Sequence, residues 1–305
     1  MSSESDGFYS ALERLTRKWW FYLLGGYLVC IIPPYTSVPY AIPEGWNEVI
    51  MDVLGQGLSG YAAFQPFIHI AVVLLIVSVV VFGNRVGRIF GLFLCAHYVL
   101  INLAQSVRLE GKYGLEILSC NLIWFLAIAV LWAWEAVVRK TDFAFRRQPL
   151  WRYWVVPLAL LAFWAPSRPW DFQPIYLLTS DAGLAFCFMT PVYLAVLSFT
   201  YPYVNLPLVR IMSFIGVIIG LCNFAFALSA GGSYGLYHAV IHVPLFAISL
   251  YCFVVAVRVS TEKIHPAPDT TGDNLGRGRA SAPAVSSEPR SLHRFHHSSS
   301  ECAEL

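Results

Sequence analysis

Residues 61–82 read YAAFQPFIHIAVVLLIVSVVVF, a continuous stretch that contains no charged side chain. About 20 apolar residues in a helix are enough to cross the hydrocarbon core of a bilayer. Charged residues make up only 12% of the chain and apolar residues 57%, whereas about a quarter of a soluble domain is charged. The sequence therefore predicts an integral membrane protein and excludes an ordinary water-soluble enzyme.

Seven further apolar stretches flank this one, so the sequence predicts an all-α membrane protein with eight spanning helices. A shorter stretch among them, residues 153–166, has uncertain ends because tryptophans border it. The eight predicted spans are 19–35, 61–82, 89–106, 115–138, 153–166, 183–201, 211–230 and 237–257.

Positive charges predict the orientation of these spans, because cytoplasmic loops are enriched in Lys and Arg. With the N-terminus in the cytoplasm, twelve of the Lys and Arg residues among residues 1–258 fall in cytoplasmic segments and three in outer loops. We therefore expect a multi-pass protein with both termini in the cytoplasm. The cytoplasmic residues are Arg14, Arg17, Lys18, Arg85, Arg88, Arg139, Lys140, Arg146, Arg147, Arg152, Arg210 and Arg258, and the outer residues are Arg108, Lys112 and Arg168.

The two halves of the chain resemble each other. GKYGL at residues 111–115 matches GSYGL at 232–236, and NRVGRI at 84–89 matches NLPLVRI at 205–211. Because the matches keep their order, we expect two parallel repeats of four spans each. The predicted organisation is a cytoplasmic segment (1–18), a first repeat (19–138), a basic cytoplasmic linker (139–152), a second repeat (153–258) and a disordered cytoplasmic tail (259–305).

Polar residues within the spans collect in their outer halves. Such groups are costly in a membrane unless they are partnered, so they are candidates for function. Their placement predicts a polar cavity near the non-cytoplasmic face. The residues are Gln65, His69, Asn102, Gln105, Glu116, Asn121, Asn223, His238 and His242.

The first functional hypothesis is a membrane-embedded enzyme that acts on an apolar, lipid-like or isoprenoid substrate. Glu116 would be the general acid, its pKa raised by partial burial, and His242 or His238 would be its base. The layout resembles that of small polytopic terpene cyclases in architecture alone, which implies cyclase or isomerase chemistry. The expected substrate-binding residues are His69, Asn102, Asn121, Asn223, Trp124 and Tyr237, the last two through their aromatic rings.

Two alternatives have their own support. The duplication favours a small-solute transporter with its site between the repeats. His69 and His242 lie at similar depth and favour a haem ligand pair, while His238 and His242 favour a metal site. Asn102, Gln105 and Asn223 also suit a purely structural role as hydrogen-bond partners between helices.

The expected partners are the lipid bilayer and an apolar small molecule. A net charge of +2 provides no basic field for nucleic acid, and the enzyme hypothesis requires no cofactor or metal. Residues 44–54 predict a helix lying in the membrane interface, with Asp52 and Asp181 as caps of short helices. His97, among apolar neighbours, is predicted to be a packing residue.

Overall fold

The structure is a computed structural model that describes residues 2–144, 146–166 and 168–258. The predicted tail, 259–305, lies outside the described residues. Short 3-10 turns cover Ala62–Phe64, Gly83–Arg85, Leu150–Trp154 and Asp181–Leu184. The helices are α1 Ser2–Leu15, α2 Trp19–Ile31, α3 Trp46–Ser59, α4 Gln65–Phe82, α5 Gly87–Ser106, α6 Ser119–Val138, α7 Val155–Trp164, α8 Tyr176–Thr179, α9 Phe186–Thr200, α10 Leu206–Ala230 and α11 Gly232–Arg258, and the strands are β1 Tyr35–Thr36, β2 Val107–Gly111 and β3 Gly114–Ile117.

Within the described residues, five helical segments are long and apolar enough to cross a membrane: α4 with its flanking turns, α5, α6, α10 and α11. A sixth candidate is the pair Tyr176–Leu184 and Phe186–Thr200, which is bent by 97°. The chain is therefore a helical membrane protein with five or six candidate spanning helices, whereas eight were predicted. The first and fifth predicted spans correspond to shorter apolar helices, α2 and the segment Leu150–Trp164.

Two predicted spans differ in their boundaries for identifiable reasons. The first was predicted to reach residue 35, but α2 ends at Ile31 because the prolines at 33 and 34 have no backbone N–H to continue a helix. The fourth was predicted to begin at Leu115, but this residue lies in β3 and helix α6 begins at Ser119. Glu116 therefore belongs to a strand and not to a spanning helix.

The three strands form a small antiparallel sheet in the order β1-β3-β2. Ile117 of β3 is opposite Tyr35 on one side and Val107 on the other. Gly114, the first residue of β3 after the turn from β2, has a φ of +74°, a conformation that glycine adopts without steric cost. We call the end of the helical bundle that carries this sheet the sheet end.

The helix predicted at 44–54 forms as α3, Trp46–Ser59, and its Val49 and Val53 pack against Leu118, which follows β3. The capping roles predicted for Asp52 and Asp181 are wrong. Asp52 lies within α3, where its carboxylate pairs with Arg108 instead. Asp181 is the first residue of a 3-10 turn, and its capping group is the preceding Ser180. Oγ of Ser180 accepts a hydrogen bond from the backbone N–H of Ala182 at 3.4 Å.

Small residues bring the long helices together in pairs. Gly216 and Gly220 of α10 face α11 so closely that a Cβ atom on Gly220 would lie 3.0 Å from the Cβ of Phe246. Gly91 of α5 has the same relation to Ala136 of α6. This close approach through small residues is typical of helix packing in membranes. The pairs α5–α6 and α10–α11 thus provide the framework on which the other helices pack.

Matched sequences of the two halves adopt different local structures. GKYGL forms the turn of the β2–β3 hairpin, whereas GSYGL forms the first turn of α11. Helix α11 begins at Gly232, and both Gly232 and the preceding Gly231 have positive φ. The sequence match at this point therefore does not extend to the backbone.

Candidate functional site

Fully buried polar side chains gather near the sheet end, where α4, α5 and α9 meet the 3-10 turn Asp181–Leu184. Gln65 is the first residue of α4, and His69 lies one turn further along the same face. Ser180 approaches them as the N-cap of the 3-10 turn. The side chains of Gln65, His69 and Ser180 are all 0% exposed. We call these three residues, together with Gly183, the buried polar cluster.

His97 of α5 holds the 3-10 turn in place. Its Nε2 lies 2.5 Å from the carbonyl oxygen of Gly183, and its Nδ1 lies 2.5 Å from the hydroxyl of Tyr193. A carbonyl only accepts, so Nε2 carries the proton and Tyr193 donates to Nδ1. Both ring nitrogens are partnered, which confirms His97 as a packing residue.

His69 has a similar environment, but one of its contacts leads to a hydroxyl. Its Nδ1 lies 2.8 Å from the carbonyl oxygen of Gln65, so Nδ1 donates in the neutral tautomer whose lone pair is on Nε2. The backbone of Phe163 is a further hydrogen-bond partner of the ring. That Nε2 lies 3.4 Å from the Oγ of Ser180. The imidazole is therefore oriented with its basic nitrogen toward a serine hydroxyl.

The Gln65 amide is the most unusual group in the cluster. Both Nε2 and Oε1 are buried, and neither has a hydrogen-bond partner within the described part of the chain. Leaving such a group unpaired costs about 1–3 kcal/mol, and exceptions of this kind often mark functional positions. Gly183 borders the amide, because a Cβ atom on this glycine would lie 2.6 Å from Oε1 and 3.0 Å from Nδ1 of His69.

An apolar groove begins one helical turn beyond His69. It lies between α4, α7 and α9 and has a volume of about 400 Å³. Its wall includes Val73 and Phe163, and the ring of Phe163 also packs edge-on against His69, with the ring centroids 4.9 Å apart. The groove is open on one side, where Val77 is 53% and Leu160 is 59% exposed. Phe163 thus separates an open apolar groove from the buried polar cluster.

The histidines predicted to be catalytic lie at a different place, between α10 and α11. Nε2 of His238 donates to Oδ1 of Asn223 at 2.9 Å, and Nδ1 of His242 donates to the carbonyl oxygen of His238 at 2.8 Å. The two imidazole centroids are 4.2 Å apart. Asn223 also donates to the carbonyl oxygen of Ile219 at 2.9 Å. Of these contacts, the bond between His238 and Asn223 joins the two helices, and the others lie within one helix.

Glu116, the predicted general acid, is buried beneath the β2–β3 hairpin. Its Oε1 accepts a hydrogen bond from the backbone N–H of Tyr113 at 2.7 Å. Burial raises the pKa of Glu116 above its ordinary value, as expected, and the nearby Asp52 carboxylate acts in the same direction. Among the contacts of the described residues, none joins Glu116 to His238 or His242. The structure therefore does not bring the predicted acid and base together.

The remaining predicted site residues make contacts between helices. Asn102 and Asn121 both join α5 to α6, through the carbonyl oxygens of Leu122 at 3.1 Å and of Gln105 at 3.3 Å. Trp124 borders α2, since a Cβ atom on Gly25 would lie 3.3 Å from its ring. Tyr237 donates to the carbonyl oxygen of Pro166. Of the predicted catalytic and substrate-binding residues, only His69 belongs to the buried polar cluster, which also contains Gln65 of the predicted polar cavity.

Sequence reasoning missed Ser180 and Gly183. A serine just before an apolar helical segment is a capping signal, and it could have identified Ser180 as the start of a turn. No sequence signal places it beside His69, because the two residues lie on separate elements 111 positions apart. Gly183 was included only as the first residue of a predicted span.

The protein thus combines a helical membrane bundle with a buried polar cluster next to an open apolar groove. Within the part of the chain described by the structure, no three His, Cys, Asp or Glu side chains are grouped so that they could hold a metal ion. Comparisons with protein-family models, curated proteins and solved structures found no match for this chain.

The raised pKa of Glu116 has a consequence for the hairpin. A carboxyl group that binds its proton more firmly in the folded state stabilises that state below the ordinary pKa of 4.5, and the stabilisation is lost as the pH rises through the folded pKa. We expect amide-exchange protection of residues 107–117 to fall as the pH rises above 4.5. Glu116→Gln should remove this pH-dependent part of the protection.

Glu48 also titrates near the hairpin, so the effect of Glu116 is the difference in protection between the original protein and Glu116→Gln. Its hydrogen bond with Lys112 lowers the pKa of Glu48, so its contribution to stability is lost as the pH falls and has the opposite sign. Protection factors corrected for the intrinsic exchange rate measure the difference between the two proteins. An identical pH dependence with and without Glu116 would contradict the assigned role.

Proposed function

We propose that this protein is a multi-pass membrane enzyme that acts on a lipid-like substrate. The apolar chain of the substrate occupies the groove between α4, α7 and α9, and its polar group binds the buried polar cluster. The observation that carries the proposal is the Gln65 amide, which is fully buried and has no hydrogen-bond partner within the described residues. This amide offers donors and an acceptor to a hydroxyl, carbonyl or ester group.

His69 is the acid–base residue of the proposed reaction. Its Nδ1 is fixed by the carbonyl oxygen of Gln65, which leaves Nε2 to exchange a proton with a hydroxyl. His69 takes this role in place of Glu116, because it borders both the groove, through Phe163, and the Gln65 amide. A neutral imidazole suits proton transfer at a polar group better than the protonation of an isoprenoid double bond, which cyclase chemistry would need.

We also propose that the chain spans the membrane eight times, in two parallel repeats with both termini in the cytoplasm. The order α4, α5, α6 parallels the order α9, α10, α11, and the last two helices of each series pair with each other. In this topology the sheet end faces away from the cytoplasm. Cysteine labelling with an impermeant reagent tests it: Lys112→Cys should react in intact cells, and Arg147→Cys only after permeabilisation, whereas the reverse result would refute it.

Filling the groove tests the substrate proposal. A ligand at 100 times its Kd stabilises a folded protein by about 2.7 kcal/mol. We expect long-chain lipids with a hydroxyl or ester group to raise the Tm of the purified protein in detergent. Val196→Trp should abolish that rise, because Val196 lines the groove.

Val130→Trp is the matched control, since Val130 is 58% exposed on α6 and does not line the groove. This variant should retain the full stabilisation by lipid. If both tryptophan variants respond to lipid like the original protein, the groove is not the binding site and the proposal fails.

Transport is a second candidate, supported by one feature. The pair Tyr176–Leu184 and Phe186–Thr200 is bent by 97°, and broken helices of this kind line the substrate sites of many transporters. Flux of a labelled solute into proteoliposomes separates the two functions. Flux that Gln65→Leu abolishes would favour transport, whereas lipid turnover without flux would favour the enzyme.

A further inference from the structure

We infer that Ser180 and His69 form a nucleophile–base pair that cleaves a carboxylic ester bond of a lipid. The inference rests on the proposed function, and it narrows the substrate from a lipid-like molecule to a lipid ester. It assigns Ser180 as the nucleophile, His69 as the base and the Gln65 amide as a donor to the oxyanion. None of these three side chains is exposed on the surface.

The pair has the geometric relations of an activated serine. Oγ of Ser180 lies 3.4 Å from Nε2 of His69, within the range seen before substrate tightens such contacts. Nδ1 of His69 donates to the carbonyl oxygen of Gln65 at 2.8 Å, which fixes the tautomer and the ring orientation. A third group that orients the base in this way is the general arrangement for nucleophilic catalysis, although here it is a carbonyl and not a carboxylate.

The capping role of Ser180 is compatible with this assignment. As a cap, Ser180 uses only a lone pair of Oγ, which accepts from the N–H of Ala182 at 3.4 Å. Its hydroxyl proton therefore remains available for His69. A serine that served only as a cap would not need an imidazole nitrogen within reach of its hydroxyl.

The Gln65 amide lies where an oxyanion donor is needed. It packs closely against Gly183, where a Cβ atom would lie 2.6 Å from its Oε1, so the glycine holds the amide beside His69. Its Nε2 has no acceptor in the described chain, so it can donate to the charge that develops on the carbonyl oxygen. The Ala182 N–H beside Ser180 is the second candidate donor.

The reaction proceeds in two steps, acylation of Ser180 and hydrolysis of the acyl-serine. Oγ of Ser180 attacks the ester carbonyl carbon while its proton moves to Nε2 of His69. The bond from this carbon to the alcohol oxygen then breaks, and the alcohol leaves with the proton from His69. In the second step, water attacks the acyl-serine, its proton passes through His69 to Oγ as the acyl–serine bond breaks, and a fatty acid is released.

A long-chain alkyl fluorophosphonate tests this inference on the purified full-length protein in detergent. We expect one covalent adduct, located on Ser180 by mass spectrometry of its peptides. Ser180→Ala should eliminate the adduct, and His69→Gln should slow its formation by about 100-fold or more, the usual contribution of a general base. Ser198→Ala is the control, because Ser198 is buried but donates to a carbonyl of its own helix, and labelling should persist.

Mapping the adduct on the unsubstituted protein does not depend on how the variants fold. If the folded protein binds lipid but forms no adduct on Ser180, the inference is overturned while the proposed lipid site stands. If it neither binds lipid nor reacts, both fail.

Discussion

Replacing Gln65 with leucine is expected to stabilise the ligand-free protein and to abolish lipid binding. The buried amide has no partner among the described residues, and an unpaired group of this kind costs about 1–3 kcal/mol. Leucine has a similar size and needs no partner, so the free energy of unfolding should rise by about that amount. The bound lipid would lose its hydrogen bonds to the amide. Thermal or denaturant unfolding, with and without lipid, measures both effects.

Gln105→Leu is the matched control, because Gln105 is also a buried glutamine near the sheet end. Its Oε1 accepts a hydrogen bond from the backbone N–H of Phe186 at 2.8 Å. The substitution leaves this N–H unpaired, so it should destabilise the protein by about 1–3 kcal/mol and leave lipid binding intact. If Gln65→Leu destabilises the protein as Gln105→Leu does, the Gln65 amide is partnered and the proposed site loses its main support.

Gly183→Val is expected to close the site. A Cβ atom at this position would lie 2.6 Å from Oε1 of Gln65 and 3.0 Å from Nδ1 of His69, so the added side chain displaces the two groups that are proposed to bind the polar group of the lipid. Overpacking of this kind costs about 1–3 kcal/mol of stability. We expect lipid affinity to fall far more than stability, beyond detection in a thermal-shift or direct binding assay.

Gly26→Val provides the comparison on α2. A Cβ atom there would lie 3.8 Å from the ring of Phe214, which is ordinary van der Waals distance. This variant should bind lipid like the original protein. Equal loss of binding in both valine variants would indicate general destabilisation and not closure of the site.

The sequence was sufficient to predict the class of protein and most of the long helices. Low charge and long apolar stretches indicate a membrane protein because the cost of burying charge in hydrocarbon acts on every residue of a span. The predicted span 61–82 corresponds to α4 with its preceding turn, and the predicted span 237–257 lies within α11. These features depend on local composition alone.

The three-stranded sheet was not predicted, because β2 and β3 directly adjoin apolar helices and are too short to show an alternating pattern. The sequence therefore places Glu116 in a helix and predicts that it acts as an acid with His242 as its base in a polar cavity. The offset of 121 residues between GKYGL and GSYGL aligns Asn121 with His242, although Asn121 joins α5 to α6 and His242 bonds within α11. Side chains at equivalent positions of a sequence repeat need not share neighbours.

The candidate site depends on tertiary packing that the sequence does not express. His69 could be singled out as a polar residue in an apolar span, but its partner Ser180 precedes a turn far along the chain. What brings them together is the contact of α4 with the turn Asp181–Leu184, which His97 holds from the opposite side. Only the assembled structure reveals that the Gln65 amide is left unpaired between these elements.

The most direct test of the central claim is photochemical crosslinking of the protein to a lipid ester that carries a diazirine at one of two positions. A diazirine beside the carbonyl should crosslink to the segments around Gln65 and Ser180, and a diazirine at the end of the chain should crosslink to the groove around Val77. Excess unlabelled lipid should compete with both reactions. If both probes instead label lipid-exposed residues of α2 and α6 equally and without competition, the protein has no such lipid site.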